Sequence, residues 1–186
     1  MSDPFTEIYR AGGWNDLGSG PGSQYCGVKD YCNFLEDFLN FNKIRSVVDF
    51  GCGDWNFSKH IHWGEASYLG IDCVKEVIEK NQVFQNEKIK FQWNEFGDNR
   101  YPQSDLLILK DVIQHWSNRR VQEFLPTTKQ TPFVLWINDW PEGDNCDIED
   151  GGWRYVALNK PPFNEKGAVI FAFREFPKTV FLQLNL

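Results

Sequence analysis

Val47-Val48-Asp49-Phe50-Gly51-Cys52-Gly53-Asp54-Trp55 reads as a buried strand that runs into a glycine turn. A second strand, Tyr68-Leu69-Gly70-Ile71-Asp72, ends in a carboxylate nineteen residues beyond Gly53. A turn that lets backbone approach a ligand, with an acid about 20 residues further on to hold a ribose, is the layout of a nucleotide-cofactor site. Dinucleotide enzymes place a third glycine where the pyrophosphate meets a helix N-terminus. Here Gly53 is followed by Asp54, and the third-glycine position is Asn56. An acid at that helix mouth, Asp54, repels phosphate. It suits a cofactor that carries a ribose and a cation but no phosphate, for which S-adenosylmethionine is the candidate.

Working outward, Tyr31, Phe34, Leu35, Phe38 and Leu39 recur at helical spacing and predict an amphipathic helix from Val28 to Phe41. Helices are expected from Phe57 to Trp63, from Val74 to Asn81 and from Asn118 to Leu125, the last stopped by Pro126 or Pro132. Ile89–Trp93 alternates as a strand, while Asp105–Leu109 and Phe133–Ile137 are apolar runs suited to strands covered on both faces. Trp153–Val156 reads as a short strand or an extended segment. Ala168–Arg174 and Lys178–Leu184, separated by a turn at Phe176-Pro177, read as an antiparallel hairpin. The expected fold is α/β: a Rossmann-like, mostly parallel seven-stranded sheet with helices on both faces and a C-terminal antiparallel hairpin. One domain is expected, with a core over 28–186 and a glycine-rich segment over 1–27. That segment, with Gly18-Ser19-Gly20-Pro21-Gly22-Ser23, is either a linker or a lid that orders on ligand binding.

The 186 residues are 41% hydrophobic and carry a net charge of −7. One full core can be buried, and an acidic chain is a poor partner for nucleic acid, whose phosphates require a basic surface. No run of apolar residues is long enough for a membrane span, and Met1–Trp14 has no signal-peptide pattern. The five cysteines are scattered with no C-x-x-C, as expected of reduced thiols in a cytoplasmic protein.

The element order, with Asp49-Phe50-Gly51-Cys52-Gly53 on the first strand and Asp72 on the second, resembles the class I S-adenosylmethionine-dependent methyltransferases over residues 28–186. The segments Lys110-Asp111-Val112-Ile113-Gln114-His115-Trp116, Asp147-Ile148 through Gly151-Gly152-Trp153-Arg154, and Pro161-Pro162-Phe163 resemble a branch of small methyltransferases associated with carbohydrate or small-metabolite chemistry. The resemblance implies that Asp49, Gly51, Cys52 and Gly53 lie under the methionine portion of the cofactor, and that Asp72 accepts both ribose hydroxyls. It further implies that Ile71 or Cys73 flanks the adenine, that Asn94 meets its amino group, and that the backbone of Lys110 and Asp111 approaches the sulfonium.

A sugar hydroxyl is a poor nucleophile until a base takes its proton. His115, after the fourth strand, is the candidate base; its other reading is a helix-cap histidine. His60 and His62 are read as surface or packing residues. Asp111, with Asn138 and Asp139 after the fifth strand, could bind magnesium, or Asp111 could bond loop backbone and Asp139 act as a second base or hydroxyl acceptor. Trp14, Trp116, Trp140 and Trp153 offer faces for a sugar ring, and Arg154 either binds a substrate phosphate or pairs with Glu149 or Asp150. The leading expectation is O-methylation of a sugar or glycan hydroxyl. The alternatives are methylation of another small metabolite at nitrogen or a carboxylate, and a non-catalytic cofactor-binding scaffold.

Overall fold

The computed structural model describes residues 3–173 and 178–185. Seven strands form one sheet: β1 (Ser46–Phe50), β2 (Ser67–Asp72), β3 (Ile89–Trp93), β4 (Leu106–Lys110), β5 (Phe133–Asp139), β6 (Ala168–Phe173) and β7 (Lys178–Leu184). Their order is β3-β2-β1-β4-β5-β7-β6. Strands β1 to β5 are parallel, and β7 lies antiparallel between β5 and β6. The sheet is therefore the expected Rossmann-like, mostly parallel one with an antiparallel C-terminal edge. The turn expected at Phe176-Pro177 and the strand end at Arg174 lie outside the described residues.

Alternation along the central strands feeds two cores. Val47, Leu106, Ile108, Leu135 and Ile137 belong to one hydrophobic cluster, and Val48, Leu107, Leu109, Val134 and Trp136 to the other. Period two sends neighbouring side chains to opposite faces of a sheet, so both faces are covered. Helix α2 (Lys29–Phe41) covers the first, burying Tyr31, Cys32, Leu35, Phe38 and Leu39 along one stripe. Each such side chain contributes roughly 1.5–3 kcal/mol by leaving water. Helix α4 (Asn118–Phe124) covers the second with Val121 and Phe124, and starts where Ser117 Oγ accepts the Arg120 amide. Helix α3 (Lys75–Asn81) reaches both clusters, through Val77 and Ile78.

Three local expectations need correction. The stretch 57–63 is not a helix: only Ser58–His60 forms a single 3-10 turn. Trp55 sits at φ 55° and its ring is buried against Tyr68 and Phe91, so packing holds the chain in a left-handed bend that a helix cannot continue. The segment 1–27 is not all loop. Helix α1 (Pro4–Arg10) forms because Asp3 accepts the amides of Phe5 and Thr6 at 3.0 and 3.2 Å, and Pro4 needs no such acceptor. Helix α4 ends at Phe124 rather than Leu125, and Pro126 falls within a 3-10 continuation, Leu125–Gln130, that stops ahead of Pro132. Trp153–Val156 is part of no strand.

Candidate functional site

Between β1 and β4 the sheet changes direction of growth: β1 is followed by β2 on one side, and β4 and β5 lie on the other. Open α/β sheets bind ligands at such switch points, outside the carboxyl ends of the strands. A cavity opens there. Its floor is Asp49 and the turn Gly51–Gly53 from β1, Asp72 from β2, and Lys110, Asp111 and His115 from β4 and the loop after it. A second cavity of about 310 Å³ adjoins it, lined by Ile71, Cys73 and Asn94 among others. Gly51, Asp72 and Trp116 line both, so Asp72 stands at the waist between them.

The glycine turn is required by space as well as by conformation. Gly51 has φ 83° and a Cβ there would collide with Val112, while a Cβ on Gly53, at φ 56°, would collide with Ser19. Asp72 is held rigidly: Oδ2 accepts the Gly53 amide and Oδ1 the Val74 amide, each at 2.9 Å. Each oxygen keeps a further lone pair for a ligand hydroxyl. Burial raises the Asp72 carboxyl to about 6 despite those two amides. Asp49 accepts the Tyr68 hydroxyl at 2.7 Å, and burial raises its carboxyl to about 6 as well. Asn94 is buried, and its amide is engaged by Gln92 at 2.6 Å and the Arg100 carbonyl at 2.8 Å. Beside it Arg120 lies over the rings of Phe96 and Trp116, at 5.0 and 4.7 Å. This fixed pair of acceptors, with room on either side, fits a cofactor that carries a ribose diol.

His115 is buried and lines the first cavity. Its Nδ1 is 2.7 Å from the carbonyl of Gly152, an oxygen that can only accept, so Nδ1 carries the proton and the lone pair is on Nε2, which faces the Gln114 amide nitrogen at a long 3.5 Å. Burial lowers the imidazole below the ordinary histidine range, which keeps it neutral near neutral pH. Trp14 packs on it at 4.9 Å and Phe5 at 6.4 Å.

Asp111 ends in the left-handed region, at φ 60°, and its carboxylate is gripped by two ammoniums. Lys110 donates to Oδ2 at 2.6 Å, and Lys178 donates to Oδ1. Lys178 also donates to Asp139 Oδ1 at 2.9 Å. Burial alone would raise the Asp111 carboxyl, but the two lysines outweigh it and hold the group below its usual value. The position between Asp111 and Asp139, where the sequence suggested magnesium, is thus filled by the Lys178 ammonium. A divalent ion there would have to displace it, so this donor set does not fit a metal. Asn138 is buried with Oδ1 unpaired among the described residues, and Asp139 is not among the residues that line the cavity.

The residues expected to hold an acceptor divide into two groups. Trp14 and Trp116 line the first cavity. Trp140, Trp153 and Arg154 line a separate groove. The Arg154 guanidinium is committed to the Trp116 carbonyl at 2.8 Å, to Asn118 and to the Cys146 carbonyl, bracing the loop; Glu149 and Asp150 are not its partners.

Sequence reading offered a lid over 1–27 as one alternative but singled out only Trp14 of its cavity-lining residues. Phe5, Tyr9, Ser19 and Ser23 line the first cavity. Tyr9 and Ser19 share a hydrogen bond of 2.6 Å, Ser19 Oγ accepts the Asp54 amide at 2.8 Å, and Asp54 Oδ2 accepts the Ser19 amide at 3.3 Å. Asp54 therefore anchors this strap, rather than facing a helix end as its position after the glycines suggested. The Asp3-Pro4 pair was the available signal for α1. Lys178 was also missed; a lysine opening an otherwise apolar strand was its signal.

The O-methyltransferase domain family model matches residues 31–132. No curated protein sequence matches the chain. Among solved structures, the chain is similar to magnesium protoporphyrin IX methyltransferase (ChlM) from Synechocystis PCC 6803, solved with bound SAH. The TM-score is 0.62 at 11% identity, over 87% of this chain and 84% of that one. It is similar to N,N-8-amino-8-demethyl-D-riboflavin dimethyltransferase (RosA) from Streptomyces davawensis, with a TM-score of 0.59 at 14% identity over 86% of this chain and 55% of that one. The methyltransferase domain of bacterial CtHen1-C aligns at 17% identity with a TM-score of 0.52, over 59% of this chain, which spans 65% of that domain. At such identities the structures speak for the fold alone. The family model, running from α2 to the residue before β5, covers more than half of the 186 residues, and the chain belongs to the O-methyltransferase domain family.

Proposed function

We propose that the chain transfers a methyl group from S-adenosylmethionine to a hydroxyl of a sugar or glycan, with His115 as general base. The cofactor supplies an electrophilic methyl on a sulfonium; the protein supplies position, a dry site and a base. Asp72 holds the ribose diol, the Gly51–Gly53 turn and Asp49 lie under the methionine portion, and the cavity beside Ile71, Cys73 and Asn94 takes the adenine. Phe5 and Trp14 keep water from the imidazole. The strap over 3–27 acts as a lid, because it roofs the cavity and must lift for ligands to exchange.

The observation that carries this reading is the His115–Gly152 hydrogen bond. It fixes the tautomer that leaves Nε2 basic, and burial keeps the ring neutral, the state a base must start from. Calorimetry with S-adenosylhomocysteine, followed by turnover on sugar acceptors with His115→Ala, tests it. Saturable binding abolished by Asp72→Ala, and a rate loss on the order of 10²–10⁴-fold in His115→Ala, are expected. A rate within a few fold of wild type would point to an acceptor already ionised, such as a carboxylate.

A further inference from the structure

One aromatic groove lies outside the cavity just described. Trp140, Glu142, Asp144, Trp153, Arg154 and Tyr155 line a recess of about 1070 Å³. Trp153 and Tyr155 are 50% and 45% exposed, large values for aromatic side chains in one recess. Their rings meet edge-on, 4.7 Å apart.

The groove wall is built in advance of any ligand. Lys160 Nζ donates to the carbonyls of Pro141 and Gly143, at 3.2 and 2.6 Å. Asn145 donates to the carbonyls of Ala157 and Pro161 at 2.8 Å each and accepts the Ala157 amide at 2.8 Å. The loop from Pro141 to Cys146 is therefore pinned from beneath, and its acids are left facing outward.

Three chemistries coincide here. Aromatic faces offer stacking. Glu142 and Asp144 are exposed and offer acceptors. Arg154 is buried, and its Nε donor has no hydrogen-bond partner among the described residues. A simple cation would satisfy the acids but not the orphaned donor, and an anion would meet the acids with repulsion. A neutral polyol ring satisfies all three: its hydroxyls donate to carboxylates and accept from the guanidinium, and its C–H face stacks on aromatic rings.

We propose that this groove is a second subsite for a neutral saccharide unit, so that the acceptor is an oligosaccharide lying across both recesses. Consecutive residues link the two recesses. The Gly152 carbonyl accepts from His115 in the reaction cavity, and the next residue, Trp153, lines the groove. The inference rests on the sugar reading of the reaction site and adds the length of the acceptor.

The test uses the full chain and a panel of neutral tetrasaccharides built from glucose, galactose, mannose and N-acetylglucosamine, with the matching methyl monosaccharides and a hexalysine peptide as probes. At least one tetrasaccharide should bind. Trp153→Ala and Tyr155→Ala should each weaken it about tenfold with S-adenosylhomocysteine affinity unchanged. Both side chains are half exposed, so the variants keep the fold; equal melting temperatures check that. For turnover, Trp153→Ala should raise KM for the tetrasaccharide and leave the monosaccharide alone. No binding of any tetrasaccharide, a loss under threefold in both variants, or displacement of the bound sugar by hexalysine overturns the subsite. Tetrasaccharide binding that depends on Trp153, with no methyl transfer to any hydroxyl, supports the subsite and overturns the reaction reading instead.

Discussion

Lys178 Nζ lies 2.9 Å from Asp139 Oδ1, and the two residues face each other across the antiparallel β5–β7 ladder. The same ammonium reaches Asp111, so β7 supplies a buried cation that joins the ends of β4 and β5. Lys178 is 3% exposed, and the Asp111 and Asp139 side chains are 12% and 10% exposed.

Removing that cation leaves two carboxylates close together with too little positive charge. Lys178→Met should destabilise the fold by roughly 3–5 kcal/mol in denaturant unfolding, the cost of breaking one side of a buried ion pair. Adding Asp139→Asn should recover part of that loss, since one stranded charge is then gone. An equally large loss in the double variant would show that the aliphatic stem of Lys178, not its charge, matters. The pH sign follows. The Asp111 carboxyl is held below its ordinary value, so its contribution to stability is present above the ordinary aspartate range and disappears as the pH falls through the lowered value. Lys178→Met should lose that part of the acid sensitivity.

Ligand binding should have a different pH dependence, set by Asp72 and Asp49. Both carboxyls are raised to about 6 by burial. A raised carboxyl favours the ligand-free fold at low pH, and that contribution is lost as the pH climbs from about 4 to about 6. S-adenosylhomocysteine needs Asp72 ionised in order to donate two ribose hydroxyls to it. Its affinity should therefore rise with pH up to about 6, by at most about tenfold per pH unit, and level off above. Asp72→Asn should bind weakly with a flatter profile. A wild-type affinity independent of pH from 5 to 8 would rule out the ionised-carboxylate role.

His115 predicts the acid limb of the rate. Its pKa is lowered by burial, and the base works only unprotonated. The rate with a hydroxyl acceptor should thus fall on acidification with a midpoint below the ordinary histidine value of about 6.5, and be flat through neutrality. A midpoint above that value would mean that another group carries the limb. His115→Gln, which keeps a side chain of similar reach, should lose the limb along with most of the rate.

The central sheet was legible because buried parallel strands announce themselves: Leu106-Leu107-Ile108-Leu109 and Val134-Leu135-Trp136-Ile137 are apolar on both faces. The floor of the site was legible for a related reason, since a glycine turn and a strand-end carboxylate are local in sequence. The roof and the charge cluster were not. Ser19 and Asp54 meet across 35 residues, and Lys178 reaches Asp111 across 67; no periodicity encodes either contact. The false helix at 57–63 failed because Trp55 packs into the core in a left-handed bend, a tertiary demand that overrides local propensity.

The strap is tied to the charge cluster at Gly22, and that contact gives the lid a specific test. Lys110 Nζ donates to the Gly22 carbonyl at 2.6 Å, and a Cβ placed on Gly22 would sit 2.8 Å from Asp111 Oδ2 and 3.0 Å from Lys178 Cε. Those neighbours are themselves locked in ion pairs and give little. Gly22→Ala should therefore lift the strap, whose contacts with the sheet at this residue are the side chains of Lys110 and Lys178, while leaving the sheet close to wild-type stability. Proteolysis within residues 12–22 should become faster, and S-adenosylhomocysteine should dissociate faster. In the wild type, cofactor and acceptor together should slow the same cleavage, because a seated ligand adds contacts to Tyr9, Trp14 and Ser19 from below. Cleavage equally fast with and without ligands, or unchanged in Gly22→Ala, would mean that the strap is a fixed wall and that ligands enter by another route.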